Sequence, residues 1–372
     1  MRRRSVAARV VGQLDVHTTC VAHAAGTTAA KRSTSNNRTL VNAPSLPVAV
    51  DAMGGDNAPG DIVAGARMAA AAGVPVVLVG QPEALADVDD LPIIAASEVI
   101  AMGADAGTSV RKMKDSSVVR AAEAVRDGAA CAMVGAGNTG ATMAAALLRM
   151  GRIKGVARPA IATPLPVFGA SKPNVLLDSG ANAECTAEML LQFGEMGAIY
   201  ARDRFKVDAP RVGLLSIGEE AGKGTPLVKE AFALLAAPEW QSRSGAVFVG
   251  NVEGRDLLGD EADVIVTDGF TGNVALKTAE GTAKKIVSAL LGAFDSSEDS
   301  REGARLLTPA LLPLYETLDP ESIGGAVLLG IKGVCVISHG SSGPKAIDNA
   351  IRAAAELAVT DHVGHLRDAV GR

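Results

Sequence analysis

Aromatic residues make up only 3% of this 372-residue chain, and its 36 Lys and Arg fall short of its 41 Asp and Glu, for a net charge of -5. Neither a base-stacking platform nor a phosphate-tracking basic surface is available, so nucleic acid is not an expected partner. Cysteine is scarce too. Cys20, Cys131, Cys185 and Cys335 lie far apart with no C-x-x-C pair, which argues against a disulfide framework or a zinc site and fits packing thiols in a reducing cytoplasm. No apolar run is fit to span a membrane: the longest uncharged stretch, 128–148, is broken by four glycines and by Asn138, Thr139 and Thr142. Also missing are a G-x-x-x-x-G-K-[ST] loop and a G-x-S-x-G elbow, which excludes a P-loop nucleotidase and weakens any serine-hydrolase reading.

Residues 1–46 differ from the rest. They hold seven basic residues against the single acid Asp15, amid Ser, Thr and Ala. That is transit-peptide composition, although a disordered arm or an upstream start codon chosen in error explains it more simply. Without this stretch the chain keeps 29 basic and 40 acidic residues.

From Pro47 onward, short β-branched runs alternate with alanine-rich stretches, as βα units around a mostly parallel sheet require. Expected strands are 47–51, 75–80, 131–135, 174–178, 212–217, 246–251, 263–268 and 334–338; expected helices are 115–126, 139–150, 184–201, 226–236 and 272–294. Glycine-rich turns follow the strands, where open α/β sheets place their ligand crevice. The chain divides into the 1–46 extension, an α/β domain over 47–360 and a tail over 361–372.

The first turn, Asp51-Ala-Met-Gly54-Gly55-Asp56-Asn57-Ala-Pro59, precedes a helix; its glycines allow close approach to a ligand, or Asp56 or Asn57 simply caps that helix. The second, Gly135-Ala-Gly137-Asn138-Thr139-Gly140, is a formal G-x-G-x-x-G. It lacks the ribose-binding acid about 20 residues on, because no Asp or Glu occurs over 141–177, and Arg149, Arg152, Lys154 and Arg158 stand there instead. A bare phosphate suits this better than an adenosine ribose, and an NADP site stays open. Further turns hold Asn182, Lys223, Asn251, Asp268, Asn273 and Lys277. Outside the extension the histidines are His339, His362 and His365, and only His339 lies in a glycine-rich turn. This inventory suits a reaction whose nucleophile arrives with the substrate, phosphate attacking an activated carbonyl beside amide and cationic oxyanion donors.

Taken in order, Val50-Asp51-Ala-Met-Gly-Gly-Asp56, Lys114-Asp115-Ser116-Ser117, Ala136-Gly-Asn138-Thr139-Gly-Ala, Arg158-Pro-Ala-Ile, Ile217-Gly-Glu-Glu, Gly250-Asn251-Val-Glu-Gly-Arg255-Asp256, Asp268-Gly-Phe-Thr-Gly-Asn273-Val-Ala-Leu-Lys277 and His339-Gly-Ser-Ser342 resemble the bacterial phosphate acyltransferase family. The likeness covers Pro47 to Ala358. Such enzymes make acyl phosphate from fatty acyl-acyl-carrier-protein and inorganic phosphate for phospholipid synthesis. The resemblance implies a three-layer α/β/α sandwich like that of phosphotransacetylases and isocitrate-type dehydrogenases. It also implies a homodimer, no metal or organic cofactor, and a cytoplasmic enzyme in peripheral contact with the membrane, supplying a glycerol-3-phosphate acyltransferase. Expected catalytic residues are Lys223, His339, Lys277 and Asn138. Expected phosphate and substrate contacts are Asp51, Gly54, Gly55, Asp56, Gly137, Thr139, Arg158, Asn251 and Asn273. The family usually has His where this chain has Asn57, Ser at Gly135 and Pro at Val327, which shifts acid-base work to His339 or a lysine.

Between 272 and 316, Ile286, Val287, Leu290, Leu291 and Phe294 share a helical face and a leucine-rich segment with Leu311 and Leu312 follows, an amphipathic pair suited to core, dimer or bilayer. Rival readings of the whole are an NADP-dependent dehydrogenase of related fold and an inactive carrier-protein or membrane adaptor.

Overall fold

The computed structural model describes residues 43–318, 320–322 and 324–370. The expected transit-like or disordered 1–46 extension lies outside these except for its last four residues, 43–46. An 11-stranded sheet forms the middle layer, in the order β3-β2-β1-β4-β11-β10-β5-β6-β9-β7-β8. The strands are β1 Val48–Asp51, β2 Val76–Gly80, β3 Ile93–Ala95, β4 Ala132–Gly135, β5 Ala160–Leu165, β6 Asn174–Leu177, β7 Arg211–Leu215, β8 Val247–Val252, β9 Val264–Val266, β10 Ala326–Leu329 and β11 Val334–Ile337. Runs such as Val-Ala-Val-Asp and Val-Val-Leu-Val-Gly are buried along their whole length, the signature of strands covered on both faces.

Helices supply that cover: α1 Gly60–Ala71, α2 Ala106–Lys112, α3 Ser117–Arg126, α4 Thr139–Met150, α5 Ala187–Phe205, α6 Pro226–Leu235, α7 Pro238–Ser244, α8 Gly269–Phe294, α9 Glu298–Leu318, α10 Pro344–Val359 and α11 His362–Val370. On one face Ile62 of α1, Phe193 of α5, Leu235 of α6, Trp240 of α7, Ile347 of α10 and Leu366 of α11 join a single apolar cluster. On the other, Val110, Val119 and Ala145 of α2, α3 and α4 pack in a second cluster, while Leu276 of α8 belongs to a third. The expected three-layer sandwich is thus present.

Three strands had no counterpart in the sequence reading. β3 is short and partly exposed, β5 carries Pro164, and β10 follows Gly324 and Gly325. They matter because β10 and β5 are the antiparallel joints of the sheet. One parallel block contains β2, β1, β4 and β11; the other contains β6, β9, β7 and β8 and runs the opposite way. The expected tail over 361–372 is instead largely the packed helix α11, with His362, Leu366 and Val370 buried.

Candidate active site

The block reversal divides the glycine turns into two groups, where the sequence suggested one crevice. The first group follows β1, β4 and β11. Its members interlock through backbone: a Cβ on Gly54 would lie 2.7 Å from Gly137 N, and Asp56 N donates to Gly340 O at 2.8 Å. Gly55, at φ +122°, faces Gly340 O and Ala136 O. Asp51 is buried beneath them. Its carboxylate accepts from Met53 N at 3.1 Å and bonds Ser117. Burial pushes this carboxyl above its ordinary range, against the pull of hydrogen bonds from Ser117, Met53 and Gly54.

Asn138 caps α4. Its Oδ1 accepts from Ala141 N at 3.0 Å, while Nδ2 donates to Met102 O at 2.8 Å and Ala104 O at 3.0 Å. Its side chain is therefore committed, and what α4 leaves open are the first-turn amides of Thr139 and Gly140, with the exposed Thr139 side chain beside them. Neither Asp56 nor Asn57 caps α1 through a side-chain oxygen: α1 starts after Pro59 with no side-chain cap, and Asn57 Nδ2 instead donates to Asp61 at 2.9 Å.

His339 is exposed on the turn after β11, and its Nδ1 accepts from Ser341 N at 3.2 Å. A backbone N–H can only donate, so the neutral ring carries its proton on Nε2.

The second group follows β6, β9, β7 and β8. Asp178, fully buried, accepts at its two oxygens from Ile161 N, Gly180 N, Ala181 N, Asn182 N and Asn182 Nδ2 at 2.8–3.1 Å. This fixes the turn against the start of α8, where Gly269 N donates to Asn182 O and Gly180 faces Asn273. Asn251 is buried with Nδ2 donating to Glu220 O at 2.9 Å, which seats the loop carrying the exposed Lys223. Arg158 is exposed next to Pro159, whose carbonyl accepts from Asn182 Nδ2. Lys277 pairs with Glu280 at 2.8 Å on the open face of α8.

Thus Asp51, Gly54, Gly55, Asp56, Gly137, Asn138, Thr139 and His339 gather in one group, and Arg158, Lys223, Asn251, Asn273 and Lys277 stand with the other. Two of the cations expected to follow the second turn, Arg149 and Arg152, do not reach it. Arg149 sits near the far end of α4, about 15 Å along the helix from Thr139, facing Glu123 at 3.7 Å. Arg152 bonds Ala157 O beyond it. Sequence reasoning missed the Met102–Ala104 segment, whose carbonyls become visible as a partner of Asn138 only in three dimensions. Burial pushes the Cys131 and Cys185 thiols up to about 11 and that of Cys335 to about 12, so none is poised as a nucleophile.

Residues 46–364 match a protein family described as "Fatty acid synthesis protein". A protein of Heliobacterium modesticaldum named phosphate acyltransferase is 47% identical over 319 residues, covering 83% of this chain and 93% of its own. One from Elusimicrobium minutum with the same name is 45% identical over 332 residues, covering 87% and 95%. Among solved structures, a phosphotransacetylase from Streptococcus pyogenes superposes with a TM-score of 0.58 at 19% identity, and the EutD phosphotransacetylase from Staphylococcus aureus with 0.56 at 16%. Each covers 84% of this chain and 94% of its own, a likeness of fold. With a match of that extent to the sequence family, this chain belongs to the fatty acid synthesis protein family.

Proposed function

We propose that this chain is a phosphate acyltransferase that moves a fatty acyl group from acyl carrier protein to inorganic phosphate. The observation carrying this reading is the open start of α4, where the amides of Thr139 and Gly140 lie beside interlocked bare-backbone turns, in a chain nearly half identical to proteins named for that activity. Helix-start amides favour an anion through their N–H groups and the helix dipole.

Phosphate held there attacks the thioester carbonyl carbon, the carbon-sulfur bond breaks, and the proton given up by phosphate ends on the thiol. His339 can supply the sulfur's proton from Nε2 when its ring is protonated on both nitrogens, Nδ1–H then donating to Ser341 Oγ at 2.8 Å, and the proton given up by phosphate restores that form. Lys223 and Arg158 neutralise the anion and the developing oxyanion. For both groups of turns to serve one reaction they must face one cleft. The reading therefore requires the twist of the six steps from β4 to β7 to turn the ends of the second block toward the first.

The product passes to a glycerol-3-phosphate acyltransferase. The enzyme works in the cytoplasm as a homodimer, and its contact with the membrane surface is supported by α8 and α9, which leave Ile286, Leu290, Leu291, Leu306 and Leu307 largely exposed. No helix among the described residues is long and apolar enough to cross a membrane.

Hydroxylamine trapping of acyl phosphate from acyl carrier protein thioester, with and without phosphate, tests the reaction. Trapped product that requires phosphate is expected; turnover without phosphate, or an acyl group recovered on the polypeptide, overturns it.

A further inference from the structure

We propose that Asp51 is the proton-linked positioning residue of the anion site: its carboxyl is neutral while the anion is bound and returns its proton to solvent when the anion leaves. This rests on the anion site placed above at the start of α4. Asp51 is only 4% exposed and has no counter-cation among its interactions. Its Oδ2 lies 2.9 Å from where a Cβ on Gly54 would sit and 3.8 Å from that of Gly137, so it stands directly behind the turn that leads into Thr139. It also shares with Ser117, Asn138 and Thr142 a cavity of about 10 Å³, room for one water.

A buried carboxylate there opposes a second negative charge at short range, and burial already raises its proton affinity. The two anions avoid coexistence if Asp51 takes up a proton. Its hydrogen bonds to Met53 N, Gly54 N and Ser117 carry the change to the turn that touches Gly137. Other ionisable groups on the packed elements are Asp56 on its own turn, Glu98 beside the cavity-lining Val99, Lys114 and Asp115 before α3, and His339 beside Gly340. The first turns of α4 bring none, and of these groups His339 is the competing proton acceptor.

Sulfate does not titrate near neutrality, so its binding isolates the protein's proton. Calorimetric titration with sulfate in buffers of different ionisation enthalpy should show net proton uptake by the wild type. Its affinity should fall with rising pH by up to about tenfold per unit, the limit for one linked proton. Asp51→Asn should bind sulfate without uptake, and His339→Asn should keep it. Uptake that persists in Asp51→Asn, or that vanishes in His339→Asn, overturns the proposal. Should Asp51→Asn fail to fold, the wild type decides: a protonated-carboxyl infrared band must appear when sulfate is added, and its absence overturns the assignment. Failure of the wild type to bind either sulfate or phosphate removes the anion site and the proposal with it, whereas binding without uptake removes the proposal alone.

Discussion

Gly54 and Gly137 meet backbone to backbone: a methyl on Gly54 would lie 2.7 Å from the nitrogen and 2.8 Å from the Cα of Gly137. Neither atom can swing aside as a side chain would, so the turns after β1 and β4 must separate to admit it. Gly54→Ala is expected to cost about 1–3 kcal/mol by overpacking and to raise KM for phosphate. Gly222→Ala is the control, because nothing lies within 4 Å of its Cβ position. Denaturant melts and phosphate titrations of both check this; equal behaviour would mean that the close approach carries no function.

Asn138 serves both neighbours at once, capping α4 with its oxygen and holding the Met102 and Ala104 carbonyls with its nitrogen. Asn138→Asp keeps the cap but turns the second contact repulsive and adds negative charge beside the anion. Asn138→Ala loses both, at about 1 kcal/mol for the cap alone. The Asp variant should therefore hold its stability better than the Ala variant yet suffer the larger rise in phosphate KM. Paired melting and steady-state kinetics read both quantities, and a parallel ranking in the two would contradict the division of labour.

Much of this site was legible in sequence because its parts are local. A strand, a glycine turn and a helix start are contiguous, so Gly135 to Thr139 and Asp51 to Asp56 could be placed without coordinates. The reversal between β4 and β6 was not legible: it depends on β10 and β5, whose short, proline-bearing or glycine-led runs give no clear period. The partner of Asn138 was invisible for another reason. Its carbonyls lie 34–36 positions away, and any residue type supplies a carbonyl.

Asp178 is a buried anion answered by N–H groups alone, four from backbone and one from Asn182 Nδ2. Asp178→Asn preserves the shape but turns one acceptor into a donor that faces donors. Leaving buried donors unanswered costs about 1–3 kcal/mol each, so a loss of roughly 3 kcal/mol or more is expected in chemical denaturation. A loss under about 1 kcal/mol would show that water replaces the carboxylate.

The clasp between α5 and α11 sets an acid limit on stability. Asp203 accepts from His362 Nδ1 at 2.7 Å and His365 Nδ1 at 2.9 Å. Partial burial raises its proton affinity, but these histidines outweigh it and hold the carboxyl below its ordinary range. A carboxyl with a lowered folded-state value stabilises above its unfolded value, near 3.9, and that stability disappears as pH falls through the lower folded value. Asp203→Asn should flatten the decline of stability below about pH 4. Melting curves across pH 3–7 should resolve the difference, and identical acid limbs would remove Asp203 from acid stability.

The α8–α9 hairpin shows water more apolar surface than a free helical pair should. Ile286 is 63% exposed, Leu290 43%, Leu307 52% and Leu314 45%, and the pairs Ile286/Leu290 and Leu307/Leu314 each share a helical face. Fully burying one such side chain is worth about 1.5–3 kcal/mol, so changing either pair to Ser should lower recovery with anionic vesicles by tenfold or more. Turnover of a short-chain soluble thioester should survive the Leu307/Leu314 change, because α9 carries none of the candidate site residues, whereas Ile286 lines a groove with Lys277. Flotation gives the first quantity and solution mass the second test: vesicle binding that is unchanged while the particle mass halves would assign this surface to the dimer seam and place the lipid contact elsewhere.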